Sequence, residues 1–308
     1  MKKTGVIIVA AGMVRQERDV SPLREIGSIS VIRRMVLTFQ QAGVAPIVVI
    51  TGYQSLEIEQ HLADYGVIFL KNEAYEHSDK FSSACIGLKF IQDKCSQVFF
   101  TSVSIPMYTA HTLRCMADMK RQIVVPSYEG RIGHPLLFQA ALIPRLLQYT
   151  GSDGMRGAIQ SLHKRRAYLN VEDAGILLEA QELPHHPGLI DAHTRHLLHP
   201  FVRVSIEREK LFFNTRARML LLLIQEMHSV KGACIHMALS LGKAWDMIND
   251  MEAELGCRIV ERKHGGNQGG RTELTTEGAQ FLQDYQRYEL EVQKYAKKQF
   301  DVIFRKYE

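Results

Sequence analysis

Two different hydrophobic patterns divide the chain. From Gly5 to Ser127, short unbroken apolar runs recur: GVIIVAAG (Gly5–Gly12), PIVVITGY (Pro46–Tyr53), GVIFL (Gly66–Leu70), QVFFTS (Gln97–Ser102) and QIVVPS (Gln122–Ser127). Runs of this length without alternation have the form of strands buried on both faces. Between them, apolar residues fall at helical spacing. The clearest case is Ser28–Ala42, with Val31, Ile32, Met35 and Phe39 on one face, and Leu56–Tyr65 and Ser82–Gln92 are further helices. Strands alternating with helices predict an α/β fold, a Rossmann-like parallel sheet with helices on both faces.

Beyond residue 200 the pattern is mostly helical. Phe201–Phe213 alternates Val202, Val204 and Ile206 inward as a strand, and Asn214 is placed to cap a helix over Thr215–Met227. Ser229 caps a short helix carrying Val230, Ala233 and Met237. After a break at Ala238–Leu239, Ser240 caps another, with Leu241, Ala244, Trp245, Ile248, Met251 and Leu255 on one face and Gly256 as its stop. Two helices joined by a tight turn predict a helix-turn-helix. Cys257–Arg262 and Thr272–Thr275 read as the arms of a hairpin around KHGGNQGGR, with Arg258, Arg262, Lys263 and Arg271 beside the glycines. A basic glycine-rich hairpin in that position suits the wing of a winged helix gripping a phosphate backbone. The alternative is a helical hairpin followed by a plain loop. A long final helix, capped by Thr276, carries Phe281, Tyr285, Tyr288, Val292 and Tyr295 as a heptad-like seam. That seam faces either a second copy, giving a homodimer, or the helix's own domain.

Composition changes this picture little. The chain has 308 residues, enough for two domains, and its net charge of +5 permits nucleic-acid binding without arguing for it. The longest apolar run, Met219–Ile224, is too short to span a bilayer, and no signal peptide opens the chain, so a cytoplasmic protein with no membrane partner is expected. Five scattered cysteines without a CxxC pair are expected to be reduced thiols. The segment PHHPGLIDAHTRHLLHP (Pro184–Pro200) holds His185, His186, His193, His196 and His199. Its prolines favour a connector, with a short helix over Asp191–Leu198, above a histidine metal site. The expected division is therefore 1–183, a connector at 184–200, and 201–308.

The residues also carry two family resemblances. VAAGMVRQERDVSPLREIGSISVIRRMVLTFQQAG, VVITGY, FFTSVSIP, PSYEGRIGHPLLF, GSDGMRGAI and VEDAGILLE together resemble a MobA-like nucleotidyltransferase, of the cytidylyl- and guanylyltransferase type of molybdenum-cofactor maturation. The resemblance implies a triphosphate loop at Ala10, Ala11, Gly12 and Met13, with Gly133 and His134 of the GHP motif at the nucleotide. Asp173 is retained too, as a site residue or as an exposed acid before a strand. In that family the loop reads AAGxSxRMGxxK. Here Gln16 stands at the arginine position, Ser21 at the lysine position, and Glu17 adds a like charge; Arg15, Arg18 or Arg24 would supply a cation only from elsewhere. The family's metal-binding aspartate is Ser104, and the second acidic position is Glu179. Losing one preorganised electrostatic contact costs on the order of 10²–10³ in rate, and several are missing.

AWDMINDMEAELGCRIVERKHGGNQGGRTELTTEG resembles the winged helix of ModE-type regulators, related to the LysR-type DNA-binding domain. That resemblance implies duplex DNA as a partner, with Ser240, Lys243 and Asp246 at the helix start and Arg262, Lys263 and Arg271 on the wing. The leading expectation is a DNA-binding regulator whose first domain is a degenerate nucleotidyltransferase acting as a sensor of a nucleotide or pterin. The alternative is an active, Mg²⁺-dependent transferase of CTP or GTP to molybdopterin with a regulatory DNA-binding tail. A third is a ligand-binding scaffold with no DNA role.

Overall fold

Val6 to Val9 have no contact with water worth the name, and the first half of the molecule is built around them. In the computed structural model, residues 4–13, 19–263 and 271–304 are described. The chain forms two compact units, 1–61 with 67–198 and 62–66 with 199–308.

The first unit's main strands are β1 (Thr4–Val9), β2 (Ile47–Thr51), β3 (Ile68–Lys71), β4 (Gln97–Ser102), β5 (Ile123–Tyr128), β6 (Leu136–Gln139) and β7 (Ala167–Asn170). With the short strand Arg131–Ile132 beside β5 they make one eight-stranded sheet in the order β3-β2-β1-β4-β6-β5-β7. The pairs β1–β2, β1–β4, β2–β3 and β5–β7 are parallel, with Val6 opposite Ile47 and Thr4 opposite Gln97. β6 runs antiparallel between β4 and β5. The mostly parallel α/β sheet expected from the apolar runs is therefore present.

The longer helices of the unit are α1 (Val31–Gln41), α2 (Ser55–His61), α3 (Lys80–Ile91), α4 (Ala110–Asp118), α5 (Gly154–Ser161) and α6 (Pro187–His196). Ser30 caps α1 by accepting from Arg33 N at 3.2 Å, and Val31, Ile32, Met35, Val36 and Phe39 are buried beneath it. α3 lies across β1 and β2, so close that a side-chain carbon on Gly87 would sit 2.8 Å from Ile7 and 3.0 Å from Ile50.

The segment expected to be a connector behaves otherwise. The first unit extends to Leu198, and α6 is tied into it by Arg34, which is completely buried and has only neutral acceptors. Its guanidinium donates to Ile26 O at 2.7 Å, His193 Nδ1 at 3.1 Å and Thr194 Oγ1 at 3.2 Å. The other ring nitrogen of His193 lies 3.1 Å from Tyr108 O. His193 is thus the neutral Nε2–H tautomer, with its Nδ1 lone pair occupied. Both nitrogens being engaged, it has nothing to offer a metal. Burying a guanidinium is costly unless it is hydrogen-bonded, and this helix supplies two of its three acceptors, while Arg34 Nε has no partner among the described residues.

In the second unit, β8 (Ile206–Glu207) and β9 (Leu211–Phe213) form a small hairpin, followed by α7 (Thr215–Met227), α8 (Val230–Ile235) and α9 (Leu241–Leu255). A second hairpin, β10 (Val260–Lys263) and β11 (Arg271–Leu274), precedes α10 (Thr276–Ile303). The continuous strand expected over Phe201–Phe213 is broken: only Ile206–Glu207 and Leu211–Phe213 pair, with the exposed and charged Arg208, Glu209 and Lys210 between them. Asn214 caps α7, Ser229 caps α8 and Ser240 caps α9, each side-chain oxygen accepting a first-turn amide. The cap of α10 is Thr275, one residue before the expected Thr276, with Gly278 N at 3.0 Å. Ala238 turns the chain between α8 and α9 in the left-handed region (φ 49°), and Gly256 ends α9 with φ 71°. β10 starts later than expected because Ile259 N and Val260 N are held by Glu252 Oε1 at 2.9 and 3.1 Å, bending the chain off α9 first.

The α10 seam splits in two. Phe281 and Tyr285 lie edge-on to Phe213 with centroids 4.9 and 4.6 Å away, and Tyr285 Oη donates to Val204 O at 2.7 Å. Tyr288, Tyr295 and Val302 are exposed.

Candidate functional site

Strand order locates the crevice. From β1 the chain moves to β2 and β3 on one side, then α3 carries it back across the sheet to β4 on the other side. In open α/β sheets such a reversal leaves a crevice at the carboxyl ends of the two strands where the order switches, here β1 and β4. Five segments reach this edge. Residues 10–13 follow β1, and residues 103–104 follow β4. α3 runs opposite to the parallel strands, so its first residue, Lys80, is there. β6 is antiparallel, so Gly133 and His134 before it are there, and residues 176–180 are bound to both neighbours.

The anchoring is specific. Ala10 N donates to Ile50 O at 2.9 Å and Ala11 O accepts from Tyr53 N at 3.3 Å, so these two alanines belong to the sheet's hydrogen bonding. The Ala10 amide is therefore not free to hold a phosphate, contrary to the loop expected from sequence. Gly12 is exposed, with open space where a side chain would be, and Met13 is half-buried. Val14, Arg15, Gln16, Glu17 and Arg18 lie outside the described residues.

Gly133 N donates to Pro126 O and His134 N to Ile176 O, each at 2.9 Å. A side-chain carbon on Gly133 would come 2.6 Å from Ile176 O, so only glycine lets these segments approach. Ala180 N then donates to Ser104 O at 2.7 Å, which brings Glu179 alongside Ser104. That backbone bond joins the segment after β4 to the segment of Glu179. His134 is exposed, with protein groups close enough to act on its ring. Those surroundings, and then the Lys80 ammonium, hold its imidazole below the usual histidine range, while Glu179 acts in the other direction.

Asp173 is neither an exposed acid nor a ligand in reserve. It is buried, and it accepts from Thr109 N (2.8 Å), Thr109 Oγ1 (3.0 Å), Thr112 Oγ1 (2.5 Å) and Gly175 N (3.1 Å). Its role is to fasten the start of α4 to the turn at Ala174–Ile176.

Mg²⁺ takes oxygen ligands in near-octahedral geometry, with carboxylates foremost. Here the paired positions offer one hydroxyl and one carboxylate, and that carboxylate accepts from Gln181 Nε2. Asp173 is saturated. Among the described residues no group of three or more His, Cys, Asp or Glu could hold a metal ion. Ser104 and Glu179 therefore do not fit the group the fold implies.

In the second unit, Ser240, Lys243 and Asp246 are exposed at the start of α9, where the Ser240 hydroxyl is occupied as the cap. Arg262 stacks its guanidinium over Trp245 at 4.8 Å, joining the hairpin to α9, a partnership sequence spacing alone does not reveal. Arg271 is exposed and its backbone pairs with Lys263. The glycine-rich tip, residues 264–270, and the side chain of Lys263 lie outside the described residues. No described helix is long and apolar enough to cross a membrane.

Comparison with known proteins agrees with this architecture. No curated protein matches the chain. Among solved structures, a nucleotidyl transferase from Methanothermobacter thermautotrophicus is 18% identical, with a TM-score of 0.53 over 63% of this chain and 98% of that one. The Mycobacterium tuberculosis protein Rv0371c is 18% identical, at 0.53 over 62% of this chain and 98% of its own. The manganese complex of that protein is 19% identical at 0.51, with the same coverage of each chain. Likeness at this level of identity speaks for the fold. The model of the MobA-like NTP transferase domain matches residues 6–167, more than half the chain, and the protein belongs to that family.

Proposed function

We propose that the protein is a DNA-binding regulator whose second unit is a winged helix-turn-helix and whose first unit senses a nucleotide without turning it over. The observation that carries the DNA reading is the arrangement of α8, the left-handed turn at Ala238 and α9, with a basic hairpin bound back onto α9 through Arg262 and Trp245. In this arrangement α9 enters the major groove by its exposed start, with Lys243 foremost, while Arg262 and Arg271 meet phosphates. Two copies would address paired half-sites, joined through the exposed Tyr288, Tyr295 and Val302, which recur every seven residues along α10. The sensor reading is supported by family membership together with Ser104 at a metal-ligand position and Gln16 and Ser21 at the loop's cationic positions. Its ligand, on the family's chemistry, is a nucleotide or a pterin of molybdenum-cofactor metabolism.

The test is fluorescence anisotropy with duplex DNA across a range of salt concentrations. Replacing Arg262 and Arg271 by alanine flattens the slope of log K against log salt by about 2, since each phosphate contact contributes about 0.9. An unchanged slope removes the second unit from DNA binding. Family membership alone favours a second reading, an active transferase of CTP or GTP to molybdopterin. Its signature is Mg²⁺-dependent pyrophosphate release with a pterin acceptor.

A further inference from the structure

The face of α9 that points away from its own unit carries a carboxylate. Ala244, Ile248 and Met251 are buried and fix the inward face of the helix. On the opposite face Gly242, Asp246 and Asn249 fall at i, i+4 and i+7, and all three are exposed. Gly242 has open space where a side chain would be, which lets this face approach another surface closely.

α9 holds four acidic side chains, Asp246, Asp250, Glu252 and Glu254, and three of them are engaged within the unit. Asp250 pairs with Lys210, Glu254 acts on the same ammonium, and Glu252 Oε1 accepts from Ile259 N and Val260 N at 2.9 and 3.1 Å. Asp246 has no hydrogen-bond or ion-pair partner among the described residues. Nor does it serve the helix dipole, whose effect is confined to the first turn, where α9 has no acidic residue.

We propose that Asp246 is a specificity-determining residue of the second unit, its carboxylate accepting a hydrogen bond from the N4 amino group of a cytosine in the major groove. The inference rests on the reading of the second unit as DNA-binding, and it names a base that the unit selects. A carboxylate facing a polyanion is repelled by phosphates, so it contributes to binding only where the duplex offers it a donor. An ionised carboxylate accepts and cannot donate. Guanine (O6 and N7) and thymine (O4) present acceptors in the major groove, which repel it. Adenine sets its N7 acceptor beside its amino group, whereas cytosine presents the amino donor alone. Asp246 thus favours one base and penalises the other three.

The test is selection of duplexes from a random-sequence pool by the full chain and by its Asp246→Ala and Asp246→Asn variants, followed by anisotropy titration of the selected duplex and of the unselected pool at one salt concentration. The native chain fixes a C·G pair at one position of the half-site, and changing that pair weakens binding by roughly 5- to 100-fold. In Asp246→Ala the same change costs less than about twofold, preferences at the other positions stay, and the unselected pool binds at least as tightly as to the native chain, because a repelled charge has gone. Asp246→Asn moves the preference at that position to A·T, since an amide accepts from adenine N6 and donates to N7. A residue that only shapes the helix would not exchange one base for another. Variants that keep the native cytosine preference, variants that lose affinity equally on every sequence, or a native chain without a fixed C·G pair overturn the inference and leave DNA binding intact. A native chain that binds no duplex overturns both.

Discussion

The buried pair of Arg34 and His193 predicts a pH dependence that a single substitution isolates. Burial, outweighing the favourable contact with the Tyr108 carbonyl and reinforced by the Arg34 guanidinium, pushes the His193 imidazole down from 6.5 to about 4. A histidine whose folded-state value lies below its unfolded value binds more protons when unfolded. Its contribution to stability is therefore fully present above pH 6.5 and is lost as the pH falls towards 4. At about 1.36 kcal/mol per unit, the whole effect is about 3 kcal/mol, of which about 2 kcal/mol is lost between pH 7.5 and pH 5. His193→Gln keeps an amide donor for Tyr108 O and an acceptor for Arg34, and it does not titrate. The assay is urea unfolding followed by far-UV circular dichroism at pH 7.5, 6.5, 5.5 and 5 for both proteins, taking the difference in stability at each pH so that all other titrating groups cancel. The gap between native protein and variant should change by about 2 kcal/mol across this range in favour of the variant at low pH. Trp245, the chain's single tryptophan, reports on the second unit and provides a separate trace. Parallel pH curves for the two proteins would refute the argument that His193 is held neutral by its burial against Arg34.

Three further outcomes follow from contacts already described. Asp173→Ala strands the Thr109 and Gly175 amides and the Thr112 hydroxyl, and should cost about 2 to 4 kcal/mol in denaturant unfolding, while nucleotide affinity of the folded protein changes little. Gly133→Ala forces a carbon against Ile176 and should destabilise by about 1 to 3 kcal/mol, read as a fall in melting temperature. Asn214→Ala removes the acceptor of Arg216 N and Ala217 N at 2.9 and 3.0 Å. It should cost about 1 kcal/mol, seen in the Trp245 unfolding trace.

The features that were legible in the sequence are those set by local chemistry. β1, β2 and β4 announced themselves because a strand buried on both faces has no polar position to interrupt it. The starts of α7, α8 and α9 were legible because Asn214, Ser229 and Ser240 solve a local problem, the unpaired first amides of a helix. β6 and β7 were not assigned, being four residues each, and β7 has half its residues exposed. In the site, the motif positions were readable one at a time, but their meeting was not. The segment of Glu179 reaches Ser104 through a backbone hydrogen bond from the residue after it. Lys80 belongs to no motif and is brought to that edge of the sheet by the direction of a crossover helix. Arg34 and His193 are separated by 159 positions, and no periodicity links such a pair.

Inheritance and folding draw their borders in different places in this protein. The family match stops at Ala167, yet a guanidinium sealed beneath α1 finds two of its acceptors on a helix that begins twenty positions later, at Pro187. Trimming the chain to the recognisable family segment, or to residue 183, would open a cationic hole in the interior and let water into it. Any preparation of the first unit alone should therefore run to Leu198. The histidine-rich tail of that unit serves as its stopper.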